Sequence, residues 1–179
     1  LDGSAQPFVA LVDAAGIREQ RMPRRVIRVL KSVTVQENDR KASLSPAPYY
    51  ELEVDFDFAG RTALPAQSLI FRPLEDDFAE DIASARTFGL LEDAEKIWSM
   101  GLAKGASLEN TLVYDGTQVI NEDGLRYEDE CVRHKVLDAL GDLDDLIAGV
   151  RPGLPAMSLE IADRDPCQRH VIADGWFER

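Results

Sequence analysis

From Tyr50 to Phe58 the chain alternates without a break. Leu52, Val54, Phe56 and Phe58 interleave with Glu51, Glu53, Asp55 and Asp57. A helix would scatter these apolar groups around its circumference. A strand, whose successive side chains point to opposite faces, turns the same pattern into one dry face and one wet face. The segment therefore requires a sheet covered on one side. Read as a helix from about Glu128 to Leu143, the chain also sets Val132, Val136, Ala139, Leu140 and Leu143 along one side, which would pack on a core.

The remaining punctuation suggests an α+β chain rather than a continuous βαβ winding. Ser4 and Pro7 precede an apolar stretch from Phe8 to Ala15 that Gly16 stops, which predicts a short helix. Val26 to Val35 reads as a strand, 36–40 as a polar turn, and Ala42 to Leu44 as the returning strand. Ser45-Pro46-Ala47-Pro48 blocks helix, favours an extended link and is the best internal boundary. Further strands are expected over Ala66 to Arg72, and helices over Glu75 to Arg86 and Leu91 to Met100. A hairpin is expected at Asp115-Gly116, and after Gly149 only a weakly patterned tail.

At 45 % hydrophobic and 30 % charged residues the composition is that of a soluble globular domain, not a disordered chain. No apolar run approaches the ~20 residues of a membrane span, and the opening Leu1-Asp2-Gly3 shows no export signal. A net charge of −13, without a basic patch, argues against a nucleic-acid partner. Cys131 and Cys167 form no CxxC pair, so a reducing cytoplasm is the expected compartment.

The long helix from about Glu128 to Leu143 also carries the chemistry. His134, Asp138 and Asp142 fall at i, i+4 and i+8 and stack on one stripe. An imidazole and a carboxylate one turn apart can share a metal ion, and a catalytic zinc takes about three protein ligands and an open position. The same stripe read plainly is a solvated face, and spacing alone does not decide between the two.

Three segments in this order resemble the bacterial UDP-3-O-acyl-N-acetylglucosamine deacetylase family, the zinc enzymes of lipid A synthesis. They are Asp2-Gly3-Ser4-Ala5 with Pro7-Phe8-Val9 and, later, Ile27-Arg28-Val29-Leu30-Lys31; Ala85-Arg86-Thr87-Phe88-Gly89; and Asn121-Glu122-Asp123-Gly124-Leu125-Arg126 running into Arg133-His134-Lys135 and Leu137-Asp138-Ala139-Leu140-Gly141-Asp142. The resemblance covers about residues 1–149.

It implies two α+β domains, each a β-α-α-β unit, that sandwich their helices between two sheets. Residues 1–46 would be the C-terminal part of the first domain, 47–149 the second, and 150–179 an unmatched tail. It also implies Zn2+ bound by His134 and Asp138, with Phe88 and Lys135 beside the substrate. Thr87 would stabilise the tetrahedral oxyanion, and Asp142 would orient a histidine that helps the leaving amine. An inserted unit, about 90–114, would form an apolar passage for the acyl chain, lined by Leu90, Leu91, Ala94, Trp98, Ala103, Ser107 and Val113. Without the resemblance, Thr87 is an ordinary turn threonine, Lys135 a solvated lysine, and the passage plain core packing.

The family's first zinc-binding His and its general-base Glu belong to a motif expected upstream of Leu1, which itself stands where the family usually has Met. Its downstream Gly-His has no match in 155–165, and His170 does not fit that motif. Two functions follow. One is zinc-dependent hydrolysis of the N-acetyl group of UDP-3-O-acyl-N-acetylglucosamine, in the cytoplasm and with transient contact with the inner membrane surface. The other is a catalytically incomplete paralogue or fragment that binds a lipid-linked sugar nucleotide or a full-length partner.

Overall fold

A computed structural model describes residues 1–19, 21, 29–38, 40–58, 60–143 and the backbone of 156–163. Residues 26–28 of the expected strand 26–35, His170, Cys167 and the rest of the tail lie outside the described residues, and 29–32 are not strand. The architecture is α+β. A five-stranded sheet in the order β1 (Val33–Glu37), β2 (Arg40–Ala47), β7 (Ala156–Asp163), β3 (Glu51–Phe56), β4 (Gln67–Phe71) carries helix α4 (Glu130–Asp142) on one face, and a two-stranded sheet of β5 (Phe88–Leu90) and β6 (Leu112–Tyr114) stands beside it.

Helix α1 spans Gln6–Ala15 and ends at Gly16, whose φ of 80° lies in the left-handed region that favours glycine. Ser4 is not its cap. The Ser4 hydroxyl donates to Asp2 Oδ1 at 2.9 Å, and the Gln6 amide instead donates to the Ala83 carbonyl at 2.9 Å. Strand β1, Val33–Glu37, pairs antiparallel with β2, Arg40–Ala47. Pro46 therefore lies inside a strand. It sits past Leu44, where β1 ends, so one side of β2 is already an edge there.

Strand β3, Glu51–Phe56, and β4, Gln67–Phe71, form an antiparallel pair, and the expected alternation holds. Leu52, Val54, Phe56 and Phe58 are buried to within 3 %. On the other face Glu51 is also covered, because Arg72 Nε donates to its carboxylate at 2.7 Å.

The region expected as a helix over 75–86 is helical only in α2, Phe78–Asp81, where the Asp77 carboxylate accepts from the amides of Ala79 and Glu80. Beyond it Ile82, Ala83 and Ala85 are fully buried in irregular backbone. That backbone is committed elsewhere: Ala83 O accepts from Gln6, and the Arg86 amide donates to Glu130.

Strand β5, Phe88–Leu90, and β6, Leu112–Tyr114, run parallel, joined by helix α3, Leu91–Ser99, and the loop after it. Parallel neighbours need a crossover of this length. The Asp115-Gly116 hairpin forms as expected, with Tyr114 bridging Val119 and Gly116 at φ 96°.

Helix α4, Glu130–Asp142, packs on β3 and β4 through Val132, Val136 and Ala139, with Leu143 buried behind it and Leu140 partly so. Phe56, Phe58, Phe88 and Tyr114, with ring centroids 5.0–5.8 Å apart, join the small sheet to the large one.

Strand β7, Ala156–Asp163, lies between β2 and β3, antiparallel to the first and parallel to the second. A sequence reading that sees only a weakly patterned tail misses it. The signal is there: Met157, Leu159 and Ile161 alternate with Ser158, Glu160 and Ala162.

Candidate active site

The site is organised by a buried ion pair. Arg86 Nε and its own amide both donate to Glu130 Oε1 at 2.9 Å, and Nη2 reaches Oε2 at 3.2 Å. The remaining guanidinium donors go to Asp123 at 2.6 Å and to the Gly124 carbonyl at 2.6 Å. The Arg126 amide takes Glu130 Oε2 at 2.7 Å. Glu130 is 0 % exposed and Arg86 2 %, so the charges are dry and fully bonded. This one contact ties the 85–89 segment to the 121–126 loop and to the first turn of α4.

The N-terminal segment docks on the same hub. Gly3, at φ 77°, passes so close to the Asn110 carbonyl that a Cβ would sit 1.8 Å from its oxygen, so only glycine fits. Its own carbonyl accepts from the Thr87 amide at 3.2 Å. Asp2 pairs with Arg126 at 2.7 Å and accepts from Ser4. Burial alone would raise the Asp2 pKa, but these partners outweigh it and hold it down at about 2. Three stretches that lie far apart in sequence thus meet around Thr87.

One turn along α4 from Glu130, the His134 ring is held at both ends. Nδ1 lies 3.1 Å from the Ala85 carbonyl, an atom that can only accept, so Nδ1 carries the hydrogen. In the neutral ring Nε2 then has a free lone pair, and it faces Asp138 Oδ1 at 3.4 Å. Two electron-pair donors converging at that separation, with the imidazole tautomer fixed by a carbonyl behind it, are what a divalent cation such as zinc would need from its first two ligands. The residues fit the metal to that extent. Among the described residues no third His, Cys, Asp or Glu joins them. Asp142 stands exposed one turn further on.

Lys135 and Phe88 complete the cluster. Lys135 Nζ lies 3.5 Å from Asp138 Oδ2 and 5.5 Å from the centre of the Phe88 ring, and Phe88 meets His134 edge-on at 6.3 Å. Thr87 is exposed beside them, its amide and carbonyl both committed to backbone partners.

Thr87 and Phe88 also open a cavity of about 410 Å³ within the 88–114 unit. All the residues expected in the acyl passage line it: Leu90, Leu91, Ala94, Trp98, Ala103, Ser107 and Val113. Ile97, Ala106, Leu108, Thr111 and Ile120 line it too and were not expected. Asn121, quoted only as part of a motif, shapes it from behind. Its side chain accepts from the Val113 amide at 2.9 Å and donates to the carbonyls of Leu108 and Thr111.

Arg61 grips the first turn of α3 through Glu92 and through Asp93 at 2.6 Å. Below the site Cys131 is buried against the Tyr114 hydroxyl, 3.1 Å away, and desolvation pushes its thiol up to about 12. It is inert packing rather than a nucleophile.

Residues 1–152 match the family model described as LpxC, UDP-3-O-acyl N-acetylglycosamine deacetylase. A UDP-3-O-acyl-N-acetylglucosamine deacetylase of Myxococcus xanthus (strain DK1622) is 47 % identical over 143 residues, 80 % of this chain and 45 % of that protein. Proteins of the same name from Phenylobacterium zucineum (strain HLK1) and Marinobacter nauticus (strain ATCC 700491 / DSM 11845 / VT8) are each 46 % identical. These alignments also cover 80 % of this chain, and 48 % and 47 % of the two relatives. The chain spans about half the length of the curated relatives it matches. All three carry the names of enzymes, which does not favour a non-catalytic binding module.

Proposed function

We propose a function from one premise: the chain belongs to the UDP-3-O-acyl N-acetylglycosamine deacetylase family. The protein hydrolyses the N-acetyl group of a UDP-3-O-acyl-N-acetylglucosamine, releasing acetate and a free amine, in lipid A biosynthesis. The observation that carries this reading is the placement of the His134–Asp138 pair, Lys135 and Thr87 around Phe88, a ring that also lines an apolar cavity. A hydrolytic centre and an acyl-sized slot side by side are what an acylated sugar amide needs.

His134 and Asp138 would hold Zn2+, with the Ala85 carbonyl fixing the imidazole tautomer that leaves the Nε2 lone pair for a metal. A bound zinc supplies Lewis acidity, which makes water a competent nucleophile near neutral pH and polarises an amide carbonyl. Thr87 lends its hydroxyl to the developing oxyanion, worth ~2–4 kcal/mol when aligned. Lys135 holds an anionic group of the substrate in a chain whose net charge is −13. Asp142 would orient a histidine that serves the leaving amine, a residue for which 155–165 offers no match.

The acyl chain enters between Leu90, Leu91, Ala94, Trp98, Ala103, Ser107 and Val113, and burial of its methylenes contributes ~0.8 kcal/mol each. The two-domain sandwich belongs to this proposal, with 1–46 in the first domain, 47–149 in the second and about 90–114 inserted. So do a cytoplasmic setting and passing contact with the inner membrane surface. Among the described residues no helix is long and apolar enough to cross a membrane.

The deciding experiment is acetate release from the acylated UDP-sugar by the full-length protein, before and after chelation and zinc return. His134→Ala and Thr87→Val should each lower kcat/KM by about a hundredfold or more. Turnover that ignores both the chelator and His134→Ala would sink the assignment.

A further inference from the structure

The inserted unit has an outer end that the proposed reaction leaves unused. Past the cavity, α3 runs into a tight turn. The Met100 amide donates to Lys96, Gly101 to Trp98 and Leu102 to Ile97, while the Trp98 indole N–H donates to the Ala103 carbonyl at 3.3 Å. The indole's polar end is thus satisfied within the turn and its apolar body is left outward. Trp98, Met100, Leu102 and Leu108 are each 50–56 % exposed. Single exposed apolar residues are normal, but four large ones on one short ordered tip are not.

Charge sharpens the point. From Lys96 to Leu108 the chain has two lysines, Lys96 and Lys104, and no acidic residue, although Glu95 and Glu109 flank the stretch and the whole chain carries −13. Lys104 folds back over Gly101, its Nζ within 3.9 Å of where a Cβ would stand, so its charge sits beside the apolar tip. Exposed Trp and Leu with lysines at their rim fit the headgroup boundary of a bilayer that contains anionic lipid. A second copy of the chain fits less well. A two-fold contact through this tip would set the same lysines against each other.

We propose that the tip formed by residues 96–108 docks on an anionic bilayer surface, with Trp98, Met100, Leu102 and Leu108 entering the interface. Trp98 and Leu108 also line the cavity, so docking sets the cavity's rim against the lipid. An amphiphile could then move its acyl chain from bilayer to cavity with little exposure to water. This delivery role rests on the proposed acyl site; the docking itself does not.

The test is flotation of the full-length protein with vesicles of phosphatidylethanolamine containing phosphatidylglycerol, together with Trp98 emission in a Trp176→Phe background. The protein should float with these vesicles and its emission should shift to the blue. Met100→Ser with Leu102→Ser, two positions outside the cavity, should lower partitioning at least about tenfold. Lys96→Glu with Lys104→Glu should remove the preference for the anionic lipid.

Both variants should still bind a water-soluble short-chain acyl ligand by calorimetry, which shows that they are folded. A parent protein that stays unbound overturns the proposal. So do variants that float like the parent, or a tip that instead drives self-association in sedimentation. Flotation without acyl-ligand binding by the parent would support docking and sink the acyl reading of the cavity.

Discussion

Remove the Glu130 carboxylate and the Arg86 guanidinium is left charged, dry and short of its main partner. Glu130→Ala should therefore cost about 3–5 kcal/mol in denaturant unfolding, far more than an exposed ion pair would. Because Arg86 precedes Thr87 and Glu130 lies one turn before His134, the same change should also loosen the site. Asp2 makes a different prediction. Its pKa is depressed to about 2 in the folded chain, so its contribution is complete above the ordinary carboxylate value of 3.8 and fades as pH falls towards 2. Asp2→Asn should thus melt below the parent at neutral pH, and the two melting temperatures should converge in acid. Local spacing made only part of the site legible in the sequence; Thr87, Phe88, Lys135 and the passage residues were named through the family resemblance. His134 and Asp138, one turn apart, could be paired on paper. Arg86 and Glu130 could not, since nothing local links positions that far apart; only the fold brings them together.

At the scale of elements, helix α3 matters because it forms one wall of the cavity through Leu91, Ala94, Ile97 and Trp98. Its first turn is tied down by Arg61, which reaches both Glu92 and Asp93. These groups are partly exposed, so Arg61→Ala should lower global stability by no more than about 1 kcal/mol. It should instead weaken acyl-ligand affinity and blur the preference for chain length, which a calorimetric series of ligands would read. Equal affinities in parent and variant would make Arg61 a bystander. The helices α3 and α4 and the strands β3 and β4 were legible because each has an apolar face with the right period. Helix α2 was not. Ile82, Ala83 and Ala85 have helix-compatible apolar spacing, but their backbone is claimed by Gln6 and Glu130, and tertiary demand overrides local preference.

At the scale of the whole molecule, β7 holds the large sheet together, since β2 and β3 meet only through it. A proline in a strand with neighbours on both sides removes a ladder bond that cannot be replaced. Ser158→Pro should therefore lower the melting temperature sharply and reduce the strand signal in circular dichroism; an unchanged melt would show that the sheet stands without β7. The sequence reads as a weakly patterned tail here: the alternation over 157–162 is short, and its central place in the sheet is not legible at all, because register is a long-range property. The order of strands also has a consequence in time. Strand β3 is complete at Phe56, yet its partner β7 begins about a hundred residues later, so on the ribosome β2 and β3 must wait, each with an open edge, while the site-bearing segments between them are made. The 88–114 unit and the Asp115-Gly116 hairpin can form from nearer contacts, which makes them the early part of folding and sheet closure the late step.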